Sequence, residues 1–396
     1  MSPKSPSPFP LHGRYADGNR WEVLNGPGDA RPTAMQIIKD EGLLLASDQG
    51  DNNNSNAAKG MNSLVDKVIF VTGASSGMGP HMVRALAATG ATIYVGARDV
   101  EKAKRAIGDD LVVAGSDSNS SSSSSGQVHI LHLDQADLSS VRRCADEFMA
   151  LSTAVSHTNR PQLNILINNA AVMRTPEHVR TKDGHELQFQ TNHLSHFLLF
   201  WLLRDVLLDS ASQEFPSRVV SSTSAGHKYT QIDLDDLNLE QEGAYAPWRA
   251  YGQSKIANIY MTSHITRLYG DRNLYGFSAT PGSFMSPNLQ QHCTAEEMRM
   301  WQEDPRLRVF HASYEQACAT AVYGAVAKEP LEYVRRQNAG RGPGGGTGLY
   351  LDGCSVAGPV PEDAVDLLEF GYAEWAFDPE KEARLWELSK KLVGVE

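Results

Sequence analysis

A tyrosine and a lysine stand four residues apart in a segment with helical periodicity. Tyr251 and Lys255 belong to the run YGQSK, and this spacing places both side chains on one helix face, one turn apart. A free tyrosine has a pKa of about 10, too high for efficient proton transfer at neutral pH, and a nearby ammonium favours the phenolate. The pair predicts acid–base chemistry, with Tyr251 as proton donor or acceptor and Lys255 as its partner.

A glycine-rich turn lies upstream of this pair, directly after a short β-rich run. Residues 72–79 read TGASSGMG, and a segment with helical spacing follows. Glycines let backbone N–H groups approach a pyrophosphate, and a helix N-terminus favours its negative charge. The turn therefore predicts a dinucleotide site, with cofactor contacts from Gly73, Ser75, Ser76, Gly77, Met78 and Gly79.

The end of the next β-rich run bears on which nicotinamide cofactor fits. An NAD site has a carboxylate there for the ribose hydroxyls, whereas this chain has Gly96, Ala97 and Arg98 followed by Asp99. The two small residues leave room, and the guanidinium of Arg98 suits a 2′-phosphate. Asp99 either pairs with Arg98 or caps the following helix. We predict NADP(H), with NAD(H) as the alternative.

Strands and helices alternate from about residue 64 onward. This alternation predicts an α/β fold: a doubly wound (Rossmann) parallel sheet with helices on both faces. We expect a single nucleotide-binding domain over residues 61–396, after a largely irregular N-terminal extension over residues 1–60 that holds one short helix in 34–45. The serine-rich segment 115–126 is expected to loop out. The seven predicted strands are 68–71, 92–95, 128–133, 163–167, 218–222, 274–279 and 348–351.

Composition narrows the classes of partner. The net charge of −11 argues against nucleic acid and anionic membranes, and no apolar stretch approaches the roughly 20 residues of a membrane helix. Four cysteines without paired spacing favour reduced thiols in a cytoplasmic protein.

His193 and His196 lack an evident third ligand, so we predict no metal site. The apolar segment 197–208 suggests a homodimer interface ahead of a monomer core.

Several motifs, in order, resemble those of the short-chain dehydrogenase/reductases, in particular the retinol-dehydrogenase-like and WW-domain-oxidoreductase-like branch. The resemblance covers residues 64–393, nearly everything except the extension. It is carried by TGASSGMG (72–79), LDQADLSSVR (133–142), NILINNAAV (164–172), FQTNHLSHFLL (189–199), RVVSSTSAGH (218–227), YGQSK (251–255) and ATPGSF (279–284).

The resemblance implies a role for each matching residue. Ser222, Thr223 and Ser224 compete for the serine that holds the substrate oxygen, and the alignment of RVVSSTSAGH favours Ser224. Tyr251 matches the general acid/base, and Lys255 matches the lysine that binds the nicotinamide ribose. The remaining matches are Asp134 facing the adenine, Asn168 and Ala170 in the cofactor-contacting stretch, Asn192 holding a water in a proton relay, Pro281 and Gly282 beside the nicotinamide, and Ser286 in place of the usual threonine.

The implied activity is NADP(H)-dependent interconversion of a carbonyl and an alcohol on a lipophilic small molecule. Residues 286–310 are expected to form a helical substrate lid. Retinoid, steroid, fatty aldehyde and secondary-metabolite ketone all remain open as substrates. Two alternatives belong to other classes. One is a nucleotide-binding scaffold or sensor that has lost turnover, against which the intact Asn192, Ser224, Tyr251 and Lys255 argue. The other is a sugar-nucleotide epimerase or dehydratase, whose usual turn has a different glycine spacing.

Overall fold

A mostly parallel β-sheet forms the centre of the molecule. The computed structural model describes residues 9–45, 63–108, 111, 126–155, 159–342, 344–360 and 366–395, which include nine strands in one sheet. The strands are β1 (Leu11–His12), β2 (Val68–Thr72), β3 (Thr92–Ala97), β4 (Val128–His132), β5 (Ile165–Asn168), β6 (Ser217–Ser222), β7 (Leu274–Ala279), β8 (Leu349–Asp352) and β9 (Ser355–Ala357). Their spatial order is β1-β9-β8-β7-β6-β5-β2-β3-β4.

The strands pair as they do in a doubly wound sheet. The strands from β2 to β8 run parallel, with Val68 opposite Thr92 and Ile69 opposite Ile165. Their apolar residues are buried on both faces, as parallel strands covered by helices require. The chain order reverses between β2 and its neighbours β3 and β5, and ligands of such sheets bind outside the carboxyl ends of the strands at that point.

The α/β fold class is confirmed, and the number of strands is corrected from seven to nine. All seven predicted strands are present, and β1 and β9 are added at one edge in antiparallel pairing. These two strands have two and three residues, too few for a periodic pattern to show. Since β1 belongs to the N-terminal extension, part of that extension is joined to the sheet. Most of the serine-rich segment 115–126 lies outside the described residues.

Helices cover both faces of the sheet. The helix predicted within 34–45 is present as α1. It packs with α2 and α11 in the core of one face, while α4, α6, α7 and α13 enclose the other. The helices are α1 (Ala34–Asp40), α2 (Gly79–Ala87), α3 (Val100–Ile107), α4 (Leu138–Val155), α5 (Leu187–Phe189), α6 (Ser195–Asp209), α7 (Pro247–Tyr269), α8 (Ala295–Glu303), α9 (Pro305–Phe310), α10 (Tyr314–Ala317), α11 (Ala319–Val326), α12 (Lys328–Asn338) and α13 (Pro379–Val393), with a π-helical turn over Gln190–Leu194.

The apolar segment 197–208 packs largely within the chain itself. Phe197 and Phe200 of α6 are completely buried, and both rings contact Trp386 of α13 at centroid distances of 5.0 and 5.8 Å. Trp201, on the same helix, is partly exposed and lies 6.1 Å from the ring of Trp386. The C-terminal helix therefore accounts for most of the apolar surface that suggested a dimer interface, and the homodimer stays a prediction.

Candidate functional site

A large cavity opens at the carboxyl ends of the parallel strands. Its volume is about 1240 Å³, and it runs from the turn after β2 to the segment that follows β7. The cavity is lined by 15 of the 17 residues predicted from the sequence to form the site, among them Gly73, Ser75, Ser76, Gly77, Met78, Gly79, Arg98, Asp134, Ala170, Ser224, Tyr251 and Lys255. Pro281, Gly282 and Ser286, which were also predicted, line it too.

The glycines of the turn are required by close backbone approaches. Gly73 has φ +75°, and a Cβ there would lie 2.6 Å from the Cβ of Ala170. A Cβ on Gly79 would lie 2.3 Å from the carbonyl oxygen of Gly73. The turn is thus pressed against the loop after β5 and leads directly into α2, whose first N–H groups have no partner within the helix. A pyrophosphate fits this cradle.

A buried network fixes the turn to the loop after β5 and to α6. The hydroxyl oxygen of Thr72 accepts hydrogen bonds from the backbone nitrogens of Asn169 (2.9 Å) and Ala170 (3.1 Å). Its own proton is directed to Nε2 of His196, 2.9 Å away, and Nδ1 of His196 donates to the carbonyl oxygen of Asn192 at 2.9 Å. Burial lowers the pKa of His196 to about 4, which keeps the ring neutral. Sequence reasoning missed this network, because its members are far apart in the chain.

Tyr251, Ser224 and Lys255 lie together beside the cavity. The Tyr251 ring and the Ser224 hydroxyl lie on either side of Gly226, where a Cβ would be 3.3 Å from the ring and 3.5 Å from Ser224 Oγ. Lys255 Nζ lies 5.4 Å from the centre of the tyrosine ring. Of the three candidates for the substrate serine, Ser222 lies within β6, and the Thr223 hydroxyl donates to the backbone oxygen of Lys255 at 3.0 Å. Ser224 is therefore the candidate that the fold brings to the tyrosine.

Burial dominates the ionisation of both titratable groups. It raises the pKa of Tyr251 to about 12, against the opposing effect of the Ser224 hydroxyl. It lowers the pKa of Lys255 to about 7. The sequence argument expected the ammonium to lower the pKa of Tyr251. The direction differs because the cost of taking the phenolate out of water outweighs the opposing effect of the Ser224 hydroxyl. At neutral pH the phenol is held in its protonated form.

The residues beyond β3 give a cationic rim to the other end of the cavity. Arg98 and Lys102 both line the cavity and are exposed. Asp99 accepts a hydrogen bond from the backbone nitrogen of Lys102 at 2.8 Å, so it caps α3, one of its two predicted roles. Gly96, expected to leave room for the cofactor, also allows close packing within the protein, because a Cβ there would lie 2.5 Å from the side chain of Leu133.

Two predicted side chains do not reach the cavity. Asn168 is completely buried and donates to the Ser221 hydroxyl at 3.1 Å, whereas its neighbour Asn169 lines the cavity. The side chain of Asn192 accepts from the nitrogen of Val172 and donates to its carbonyl oxygen, both at 2.9 Å. Asn192 thus holds the loop after β5 in place through its side chain, and its role in a proton relay stays a prediction.

The far wall of the cavity comes from segments that the sequence did not connect. Within the expected lid the structure has α8 and α9, which contribute Trp301, Leu307 and Phe310 to the wall. Trp248 of α7 lies between these helices and Tyr251. Its ring is 6.0 Å from the ring of Tyr251 and 6.1 Å from the ring of Trp301. Met300, next to Trp301 on α8, is 60% exposed. The wall is completed by Leu368 and by neighbouring residues after β8.

Comparison with known proteins identifies the family. A family model for short chain dehydrogenases matches residues 67–232. The chain is 40% identical over 384 residues to the short-chain dehydrogenase/reductase prx1 of Penicillium roqueforti, which covers 97% of this chain and 96% of that protein. The chain belongs to the short-chain dehydrogenase/reductase family. As a member of this family it is an oxidoreductase with a nucleotide-binding Rossmann fold.

Other relatives of this short-chain dehydrogenase/reductase agree with the branch expected from its motifs. It is 33% identical over 332 residues to human retinol dehydrogenase 13, covering 83% of this chain and 85% of that protein. It is 34% identical over 341 residues to a WW domain-containing oxidoreductase of Danio rerio, covering 83% and 69%. Among solved structures, an uncharacterized protein of Mycobacterium paratuberculosis has 27% identity and a TM-score of 0.56, covering 84% of this chain and 96% of that one. The resemblance noted from the sequence is confirmed.

Neither a cluster of metal-binding side chains nor a membrane-spanning helix is found in the part of the chain that the structure describes. No group of three or more histidine, cysteine or acidic side chains in it could hold a metal ion. His193, half of the H-x-x-H pair, instead places Nε2 2.9 Å from the hydroxyl of Ser389. Among the helices of the described residues, none is both long and apolar enough to cross a bilayer.

Proposed function

We propose that this short-chain dehydrogenase/reductase uses NADP(H) to interconvert a carbonyl and an alcohol on a lipophilic small molecule. The observation that carries the proposal is the meeting of three groups on one cavity. Tyr251, Ser224 and Lys255 all line one cavity, with Lys255 Nζ 5.4 Å from the centre of the tyrosine ring, and the glycine turn before α2 lines the same cavity. Such a site places an acid and an oxygen-binding hydroxyl within reach of a dinucleotide.

The chain's own residues would act on the substrate oxygen. When bound, NADPH supplies the hydride that reduces the carbonyl carbon. Ser224 and Tyr251 donate hydrogen bonds to the oxygen as it gains negative charge, which stabilises the transition state. Tyr251 then gives up its proton, and Lys255 helps to restore it. The raised pKa of Tyr251 supports this direction, since the phenol carries its proton at neutral pH.

The shape and lining of the substrate side support a lipophilic substrate. Trp248, Trp301, Leu307, Phe310 and Leu368 form an apolar wall opposite the catalytic candidates. Binding sites of this composition bury most of an apolar ligand and orient it with a few polar groups. Four free cysteines fit the cytoplasmic location expected from the sequence, which we keep as part of the proposal.

A carbonyl panel tests the proposed activity directly. We expect NADPH oxidation, followed at about 340 nm, with lipophilic carbonyl compounds such as decanal, 2-decanone or a steroid ketone, and slower oxidation of NADH, because a guanidinium at the ribose end favours a 2′-phosphate. Tight NADPH binding without turnover of any carbonyl or alcohol would instead favour a nucleotide-binding scaffold.

Cofactor preference is expected to depend on Arg98. The Arg98→Ala variant should lose about tenfold or more in NADPH affinity, because a charge-assisted contact to phosphate contributes roughly 1.5–3 kcal/mol, while NADH affinity changes little. Titration of each cofactor by fluorescence measures both. The matched control is Arg105→Ala, which removes an exposed arginine of α3 that does not line the cavity. Equal losses for the two cofactors would argue against the 2′-phosphate site.

A further inference from the structure

The N-terminal extension crosses the outer side of the substrate lid. The backbone nitrogen of Gly26 donates to the carbonyl oxygen of Val309 at 2.9 Å, and the ring of Trp21 stacks on Phe310 with centroids 5.5 Å apart. Both lid residues lie at the end of α9, and Phe310 lines the cavity. The extension therefore touches the same short helix that forms part of the apolar wall.

Arg31 of the extension caps that helix at its C-terminus. Its guanidinium donates to the carbonyl oxygens of Phe310 at 2.7 Å and His311 at 2.6 Å. The last carbonyls of a helix have no partner within it, and a cation there is favoured by the helix dipole. Because α9 has only six residues, little else within the helix resists fraying at this end.

The arginine is itself held in a rigid setting. Asp29 accepts from Arg31 Nε at 2.9 Å, and the side chains of this pair are only 2% and 9% exposed. Gln316 of α10 donates to the backbone oxygens of Asp29 (3.2 Å) and Arg31 (3.0 Å). Burial acts to raise the pKa of Asp29, but hydrogen bonds from Arg31 and from backbone nitrogens hold it below its ordinary value. The buried carboxylate thus fixes the guanidinium in place. Moving the guanidinium away would be costly, because it would leave a buried charge without its partner.

The capped end of α9 is linked to the loop beside the predicted nicotinamide position. His311 Nδ1 lies 2.9 Å from the Ser283 hydroxyl, and the nitrogen of Ala312 donates to the Ser283 carbonyl oxygen at 2.8 Å. Ser283 follows Pro281 and Gly282 directly, and all three line the cavity. A displacement of the end of α9 would therefore move both the apolar wall and this loop.

We propose that Arg31 is a positioning residue for substrate binding: it fastens the C-terminal end of α9, and with it Phe310 and Leu307, against the cavity. The substrate class is the one proposed above, an apolar carbonyl compound that packs on these side chains, so this inference rests on the proposed function. The N-terminal extension thereby contributes to the substrate site without touching the substrate.

The test combines hydrogen exchange with kinetics. Arg31→Ala leaves the Asp29 carboxylate buried without its cation, so a second variant, Asp29→Asn with Arg31→Met, removes both charges and retains similar side-chain volumes. In both variants we expect amide exchange at residues 305–312 to rise about tenfold, while exchange in β2 and β3 is unchanged, because only the local opening becomes easier. With decanal as the probe, we expect KM to rise about tenfold, kcat to change less than about twofold, and NADPH affinity to stay constant.

The control is Arg20→Ala, which removes an arginine of the same extension whose ion pair with Asp17 is exposed. It should leave both the exchange of 305–312 and KM unchanged. Exchange in 305–312 that stays at the wild-type level in the double variant would overturn the proposal, as would a rise shared by β2 and β3. If no carbonyl compound is turned over, the proposed function fails, and the exchange experiment still decides the positioning role of Arg31.

Discussion

Replacing Tyr251 with phenylalanine is expected to abolish turnover and leave NADPH affinity nearly unchanged. The change removes one hydroxyl that both donates the proton and hydrogen-bonds the oxygen, while the ring keeps its edge contact with Trp248. Loss of a general acid costs about 10²–10⁴ in rate, and loss of a donor at the developing oxyanion costs about 10²–10³. Single-turnover oxidation of NADPH by the best carbonyl of the panel measures the loss of turnover. Fluorescence titration measures the affinity for NADPH.

Tyr275→Phe is the matched control for this variant. Tyr275 is a buried tyrosine of β7 that packs against Arg335 and does not line the cavity, so loss of its hydroxyl should leave kcat/KM unchanged. Turnover by Tyr251→Phe at the wild-type rate would remove residue 251 from the mechanism. A parallel collapse of NADPH binding would show that the substitution had deformed the cofactor site.

The local part of the site could be predicted from the sequence because it depends on short-range geometry. A helix places Tyr251 and Lys255 on one face whatever surrounds it, and a strand–turn–helix with glycines has few uses besides holding an anion. The seven longer strands were found for a similar reason, since each contains neighbouring apolar or aromatic residues within a short segment. Ser224 was chosen from three neighbours by resemblance, and the structure places it against Tyr251.

Features that depend on tertiary packing could not be predicted. The short strand β1 pairs with β9 across more than 300 residues of chain, and β9 pairs in turn with β8, so neither strand is specified by its own few residues. Asn168 and Asn192 carry the expected residue type, but packing turns their side chains away from the cavity. The direction of the pKa shift at Tyr251 is set by burial, which no spacing of residues reveals. The role of the extension in fastening α9 has no local signature either.

Acid is expected to destabilise this fold steeply below a pH of about 6.5, because four buried histidines are held neutral. Burial is the main cause in each case, lowering the pKa to about 3 for His193 and His227 and to about 4 for His196 and His264. An unfolded histidine has a pKa of about 6.5. Below a pH of about 6.5 the unfolded chain therefore binds more protons than the folded chain. The stability contributed by these histidines is complete above that pH and is lost as the pH falls below it.

The geometry at His227 shows why protonation is opposed. Its Nδ1 lies 2.7 Å from the Ser224 carbonyl oxygen and must donate to it, and Nε2 accepts from the backbone nitrogen of Ala373 at 3.1 Å. A second proton on Nε2 would face an N–H donor in a site without water access. His196 is opposed in the same way, since its Nε2 faces the Thr72 hydroxyl and the Gln135 amide. Charging either ring therefore requires the fold to open.

The expected magnitude follows from counting protons. Each neutral histidine adds about 1.4 kcal/mol per pH unit to the slope of unfolding free energy once its unfolded form is charged. Asp352 acts in the opposite direction, because burial raises its pKa to about 6 against the attraction of Lys228, so its charged form is the costly one. About three net protons remain, or roughly 4 kcal/mol per pH unit, against a total stability of about 5–15 kcal/mol.

Urea unfolding at a series of pH values from about 7.5 to 5 measures this slope, and His264→Phe tests its origin. The variant removes a titrating ring that contacts Trp386 at a centroid distance of 5.0 Å and whose Nδ1 has no hydrogen-bond partner among the described residues. The slope should therefore fall by about one proton while the ring contact is retained. Leu268→Gln, at an exposed position without a titrating side chain, should leave the slope unchanged. A wild-type free energy that stays flat across this range would mean that the buried rings accept protons in place, which the donors facing His196 and His227 do not permit.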